Sequence, residues 1–159
     1  MALSAFFVGH PLAAVGKPGD IDTDQRNPLG MEAVDGVGNV WIYLAGVASC
    51  LVDDWVSFNT TSYVAVRLAA DAVGRVAIAP AAIVAANFGW FLVKGFYATS
   101  NSDTTAAAGG LFIDGTAGRV DDASVAGDFV NGAVSTGADV ANKLPVHINY
   151  PYVTNTVPA

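Results

Sequence analysis

The chain predicts an all-β fold, a single barrel or sandwich domain of short antiparallel strands with extended N- and C-terminal arms. Three observations carry this. Short runs rich in Val, Ile, Phe, Tyr and Trp recur with turn signals every ~8–12 residues, no stretch shows a sustained amphipathic helical period, and 159 residues suffice for one core but not for two ordinary domains. No fixed-period repeat occurs.

Residues 1–36 read as an arm laid over a neighbouring surface or as a long ordered loop. Pro11, Pro18 and Pro28 punctuate them, glycines loosen them, and Leu3, Phe6, Phe7, Val8 and Leu12 give the tip something apolar to bury. Removing residues 1–28 is therefore expected to leave a folded core. The β domain spans 37–149. In its first strand Val40, Ile42 and Leu44 alternate with Trp41 and Tyr43, so an aliphatic face opposes an aromatic one. Asp53 and Asp54 mark a turn. Trp55–Asn59 and Tyr63–Leu68 form a hairpin across Thr60–Ser62. Ala69–Ala72 can close one turn, but four residues do not make a helix.

The most apolar stretch, Val73–Ala98, predicts a second hairpin, with strands Val76–Val84 and Phe88–Tyr97 meeting near Asn87. In the second strand Phe88, Trp90 and Leu92 point one way and Phe91 and Val93 the other, so both surfaces need cover. The domain core supplies one; another sheet, an arm or another molecule supplies the second. Lys94 is placed on the Trp90 face, while Gly89 and Gly95 suggest a bulge or the close approach of another backbone. Further on, Thr99–Thr105 is a loop and Ala106–Gly110 a brief helical turn. Two short strands within Leu111–Val120 meet at Asp114–Gly118, and strands near Phe129–Thr136 and Leu144–Asn149 follow. Residues 150–159 form the extended C-terminal tail.

Composition narrows the function classes. Residues are 53% apolar and 13% charged, against about 25% charged in ordinary soluble domains, so part of the surface is expected to lie against neighbours. The longest apolar run, eleven residues from Val76 to Ala86, contains Pro80 and falls short of the ~20 residues of a spanning helix. No secretory leader is evident at the N-terminus, and the lone Cys50 reads as a small buried hydrophobe in a protein made in a reducing cytoplasm. Fourteen acidic residues against seven scattered basic ones, a net charge of −7, offer no basic patch for nucleic acid.

Reactive constellations are sparse. Asp20, Asp22 and Asp24 open like a calcium loop, but Gln25 and Met31 stand where Gly and Glu are needed, so the segment reads as a solvated acidic turn. The two histidines, His10 and His147, lie far apart in the chain. His147 alternates with Val146 and Ile148, which places it on the outward, interface-type face. The pairs Asp53–Asp54 and Asp121–Asp122 read as exposed turn carboxylates without the burial that acid–base catalysis demands. No catalytic, cofactor or metal site is expected.

The runs Asn39–Gly46, Asp54–Phe58, Gly74–Ala79, Asn87–Gly95 and Thr116–Val120, most tellingly their Phe-Gly-Trp and Thr-Ala-Gly segments, resemble small decoration (cement) proteins of tailed-bacteriophage heads across residues 29–150. The resemblance implies a non-enzymatic virion structural protein on the capsid surface. It would bind the major capsid protein and itself as a homo-oligomer, a trimer at three-fold positions being one such form, with no nucleic acid and no membrane as partner. The candidate interface residues are Phe6, Phe7, Trp41, Tyr43, Trp90, Phe91, Tyr150 and Tyr152. Two other readings remain: a receptor- or glycan-binding fibre or spike domain stacking Trp41 or Trp90 on sugar, and a small enzyme or ligand-binding barrel using the aromatic pairs.

Overall fold

The structure, a computed structural model, describes residues 10–103 and 106–155. It is all-β as the pattern predicts. In chain order the elements are β1 (His10–Pro11), the single-turn α1 (Leu12–Val15), β2 (Ile21–Asp22), β3 (Glu32–Val34), β4 (Val40–Ala45), β5 (Trp55–Phe58) and β6 (Ala65–Arg67), then β7 (Gly74–Ile78), β8 (Phe88–Asn101), β9 (Gly109–Ile113), β10 (Val120–Asp121), β11 (Phe129–Ser135) and β12 (Lys143–Val153). They form one sheet that curls on itself without closing, antiparallel except where β1 runs parallel to β3. Among the described residues no helix is long and apolar enough to cross a membrane.

The strand β8 is the spine. One of its edges is taken by β4, from Val40 opposite Lys94 to Ala45 opposite Phe88. The other is shared in succession by β2 at Gly89, β7 at Leu92 and β12 from Lys94 to Asn101. Alternation along β8 then builds two cores. Trp90 and Leu92 join Trp41, Tyr43, Trp55, Ile78, Leu111, Val130, Val146 and Ile148 in the larger one, while Phe91 and Val93 join Ile42, Leu44, Val56, Phe58 and Ile83 in the smaller. Each such side chain removed from water contributes about 1.5–3 kcal/mol, so a strand packed on both sides anchors the sheet.

Both covers come from this chain. Over Trp90 lies the N-terminal segment, which contributes Leu12, Val15, Leu29 and Met31 to the larger core. Gly16 makes the approach feasible: at φ 152° it passes so near the indole that a Cβ there would stand 2.6 Å from Trp90 Nε1. Gly89 does the same on β8, where a Cβ would meet Ile83 and the Asp20 carbonyl. Residues 10–34 are thus part of the body and not an arm, a correction to the expected boundary at 37. The C-terminal boundary moves too, because β12 runs through Tyr150 to Val153 and buries Val153.

Three local expectations also change. The first strand of the central hairpin ends at Ile78, not Val84, because Pro80 has no N–H for a ladder, and 79–87 form a loop that sends Ile83 into the smaller core. A register shift between Val40 and Trp41 inserts Val93 as an extra residue, and Lys94 leaves the Trp90 face for solvent. Gly109 and Gly110 belong to β9 and not to a helical turn. The β5–β6 hairpin and the β9–β10 hairpin, with Ile113 opposite Val120, form where expected.

Candidate docking surface

Burial sorts the candidate interface residues into two groups. Trp41, Tyr43, Trp90 and Phe91 are 4%, 0%, 1% and 0% exposed. They are core residues, a correction that follows from the two internal covers of β8. Rings enclosed in this way cannot stack on a sugar, so the glycan reading loses Trp41 and Trp90 as its platform. Phe6 and Phe7 lie outside the described residues. Tyr150, half-buried, and Tyr152, 47% exposed, do reach the surface.

Among the described residues the Trp55 and Trp90 indole N–H groups and the Ser102 hydroxyl are buried without a partner, but other polar groups in the core are tied down. The Tyr43 hydroxyl donates to Asp22 Oδ2 at 2.7 Å and accepts from the Arg26 amide. Burial, then that carboxylate, pushes its pKa up to about 12. Asp22, one of the three acids of the calcium-like turn, is itself buried and pairs with Arg26, so it is a brace and not a solvated turn residue.

Asp53 and Asp54 are likewise buried, against expectation, at 7% and 0% exposure. Asp53 accepts from the Tyr97 hydroxyl at 2.6 Å and from Lys143 Nζ at 2.7 Å. Asp54 accepts from Arg67 Nε at 2.7 Å, the Leu51 amide at 2.8 Å and Asn101 Nδ2 at 3.0 Å. Lys143 also donates to the Asn101 side-chain oxygen Oδ1, which closes the two pairs into one network. All four carboxylate oxygens have donors, so the cluster bolts the 51–54 corner to β6, β8 and β12.

Asp103, Asp114 and Asp121 each bring one carboxylate oxygen within 4.8 Å of the others. The group is half-exposed, and acidic groups of this kind are common without a cation, so no site is assigned to it.

An uncovered face among the described residues is the outer side of β8, β12, β11 and β9. Their inward positions, among them Leu144, Val146, Ile148, Leu111, Ile113 and Val130, fill the larger core, and strict alternation leaves the others outside. Phe96, 46% exposed, sits opposite His147, with ring centroids 5.1 Å apart, and His147 sits opposite Val134, 45% exposed. Further along, Phe112 and Phe129 face each other across β9 and β11 with centroids 5.2 Å apart. The outward placement of His147 was legible from its alternation with Val146 and Ile148. Phe96 and Val134 were missed, although Phe96 carries the same period-two signal once Gly95 is taken as the place where β8 changes partners.

The same face continues to the end of β12. There Tyr152 lies opposite Arg75 of β7, and the Arg75 guanidinium rests 5.0 Å from the Tyr150 ring centroid and 5.9 Å from that of Phe58. An open groove of about 340 Å³ runs beside it, lined by Phe58, Asn59, Thr60, Val73, Arg75 and Tyr152 among others. Fold and surface together define a class, an all-β protein whose curled sheet encloses its own aromatic core and leaves one outer face uncovered. No protein-family model, curated protein or solved structure matches this chain.

Proposed function

We propose that the chain is a non-enzymatic structural protein that decorates and stabilises a phage capsid, binding major capsid subunits and copies of itself through the outer face of β8, β12, β11 and β9. The observation that carries this is the row Phe96, His147 and Val134 across three adjacent strands, which nothing among the described residues covers. Contiguous apolar surface of this kind marks an interaction site more often than chance. A lattice also multiplies a modest contact over many copies, so no one interface need be tight. The acidic excess suits an outer shell surface better than the DNA-filled interior, and the resemblance to head decoration proteins supports the same reading.

The test is co-sedimentation with expanded heads assembled from the major capsid protein of the chain's own particle, with Phe96→Asp and Val134→Asp as probes. Wild-type protein is expected to sediment with heads, and both variants to fold but lose binding by roughly tenfold or more. Wild-type protein that stays in the supernatant overturns the reading. Light scattering on the purified protein tests the self-association.

A further inference from the structure

Of the seven basic residues, four are ion-paired: Lys17 with Asp20 and Arg26 with Asp22 at the surface, Arg67 with Asp54 and Lys143 with Asp53 deeper in. Arg75, Lys94 and Arg119 are not; among the described residues no carboxylate lies within ion-pairing distance of any of the three, and the first two share one face. In a chain of net charge −7 acids are plentiful, so two cations left open on one face call for a cause. Topology brings them together. At Tyr150, which adopts φ 48°, strand β12 passes from one partner to another: Asn149 still faces Lys94 of β8, while Tyr152 already faces Arg75 of β7. Pro151 has no N–H to pair at the crossing. Lys94 and Arg75 therefore flank the same stretch of β12, on the face that carries Phe96 and His147.

The state of Arg75 is specific. Its guanidinium carbon lies over the Tyr150 and Phe58 rings, at 5.0 Å and 5.9 Å from their centroids, in cation–π contact. The Tyr150 ring is held in turn by its hydroxyl, which donates to Glu32 at 3.2 Å. Among the described residues no ion pair takes up its N–H groups, and the edge of a guanidinium matches a carboxylate in two-point geometry. The groove beside it is bounded by the exposed Tyr152 ring and Val73 and by the polar Asn59 and Thr60.

We propose that this strip binds an acidic polypeptide segment, with one carboxylate seated on the edge of Arg75 in the groove, a second near Lys94, and apolar side chains against Tyr152 and Phe96. Charge complementarity selects the occupant: two isolated cations on an acidic protein suit paired carboxylates, whereas a polyanionic nucleic acid meets the repulsion of the whole molecule. The inference rests on the chain being a docking protein and names the chemistry of the surface it docks on.

The probe is a blocked synthetic pentapeptide alternating acidic and leucine residues, compared with its amide counterpart, in a ¹H–¹⁵N titration of the full chain. The acidic peptide is expected to shift amides around Arg75, Lys94, Phe96 and Tyr152. The amide peptide is expected to bind at least about tenfold more weakly, and about 0.5 M salt to abolish the difference. Arg75→Ala should lose the response, and Lys94→Glu, a change at an exposed position that leaves the core untouched, should weaken it. Equal binding of the two peptides, a response insensitive to both substitutions, or displacement of the peptide by a heparin hexasaccharide overturns the proposal. In the head-binding assay, heads that capture Lys94→Glu and Arg75→Ala as well as wild type, yet release Phe96→Asp, would leave the docking reading standing and remove the acidic-segment one.

Discussion

Single residues show how few polar groups this apolar chain leaves loose. Asp35 in the β3–β4 turn accepts from the Trp41 indole, the Asn39 side chain and the Asn39 and Val37 amides, all at 2.9–3.0 Å. Burial works to raise its pKa, but those four donors hold it below the ordinary value. Tyr43 and Tyr97 go the other way: burial first, and then the carboxylates of Asp22 and Asp53, raise both hydroxyls. The consequence lies at alkaline pH. An unfolded tyrosine gives up its proton near 10 while folded Tyr43 keeps its own until about 12, so the folded state holds more protons in that window and stability falls as pH rises through it. Below pH 10 the contribution is fully present. Urea midpoints are expected to decline between pH 10 and 12, and less steeply in Tyr43→Phe; an identical decline in the variant would show that this hydroxyl titrates as if free. Cys50, buried with its thiol pushed up to about 11 by desolvation, behaves as the small hydrophobe its Ala-Ser-Cys-Leu-Val setting suggests.

At the scale of elements, period-two alternation read most of the strands correctly and failed where proline or glycine changed the ladder. Two glycines are the hinges of the design. Gly95, at φ 128° with the Asn39 side chain against it, lies where β8 turns from the doubly packed region toward the open face. Gly16 lets the N-terminal segment lie on the Trp90 indole. Gly16→Ala imposes both an unfavourable φ and a contact with a fully enclosed ring, and is expected to cost about 1–3 kcal/mol. Chemical denaturation with Trp fluorescence reads it, since loosening of this cover wets Trp90 and shifts its emission to the red. A variant as stable as wild type, with unshifted emission, would show that the segment is not seated there.

For the whole molecule, the premise of excess apolar surface narrows. The aromatic strand, both of whose faces need cover, is enclosed by its own chain, and the proposed docking surface is confined to the outer face of β8–β12–β11–β9 with the Arg75–Lys94 strip. The role of the N-terminal segment changes with it. Because residues 10–28 supply β1, α1, β2 and, through Leu12 and Val15, part of the lid over Trp90, removing residues 1–28 is expected to abolish the native fold. Near-ultraviolet circular dichroism should lose its fine structure and the product should aggregate; a cooperative, native-like truncated protein would return the segment to the status of an arm.

The sequence by itself determined the all-β class, the two-sided burial demand of Phe88–Val93, the outward turn of His147 and the hairpins at 55–67 and 111–120. Each is written in local alternation and turn chemistry, which act over a few residues. Only the tertiary structure decided what covers the second face of β8, that Asp53 and Asp54 are buried, and that Arg75 and Lys94 share one strip. Those outcomes depend on partners remote in the chain, as with Asp53 and Lys143, 90 residues apart. Local patterning says that a face must be covered or a charge paired, and the path of the folded chain selects the partner.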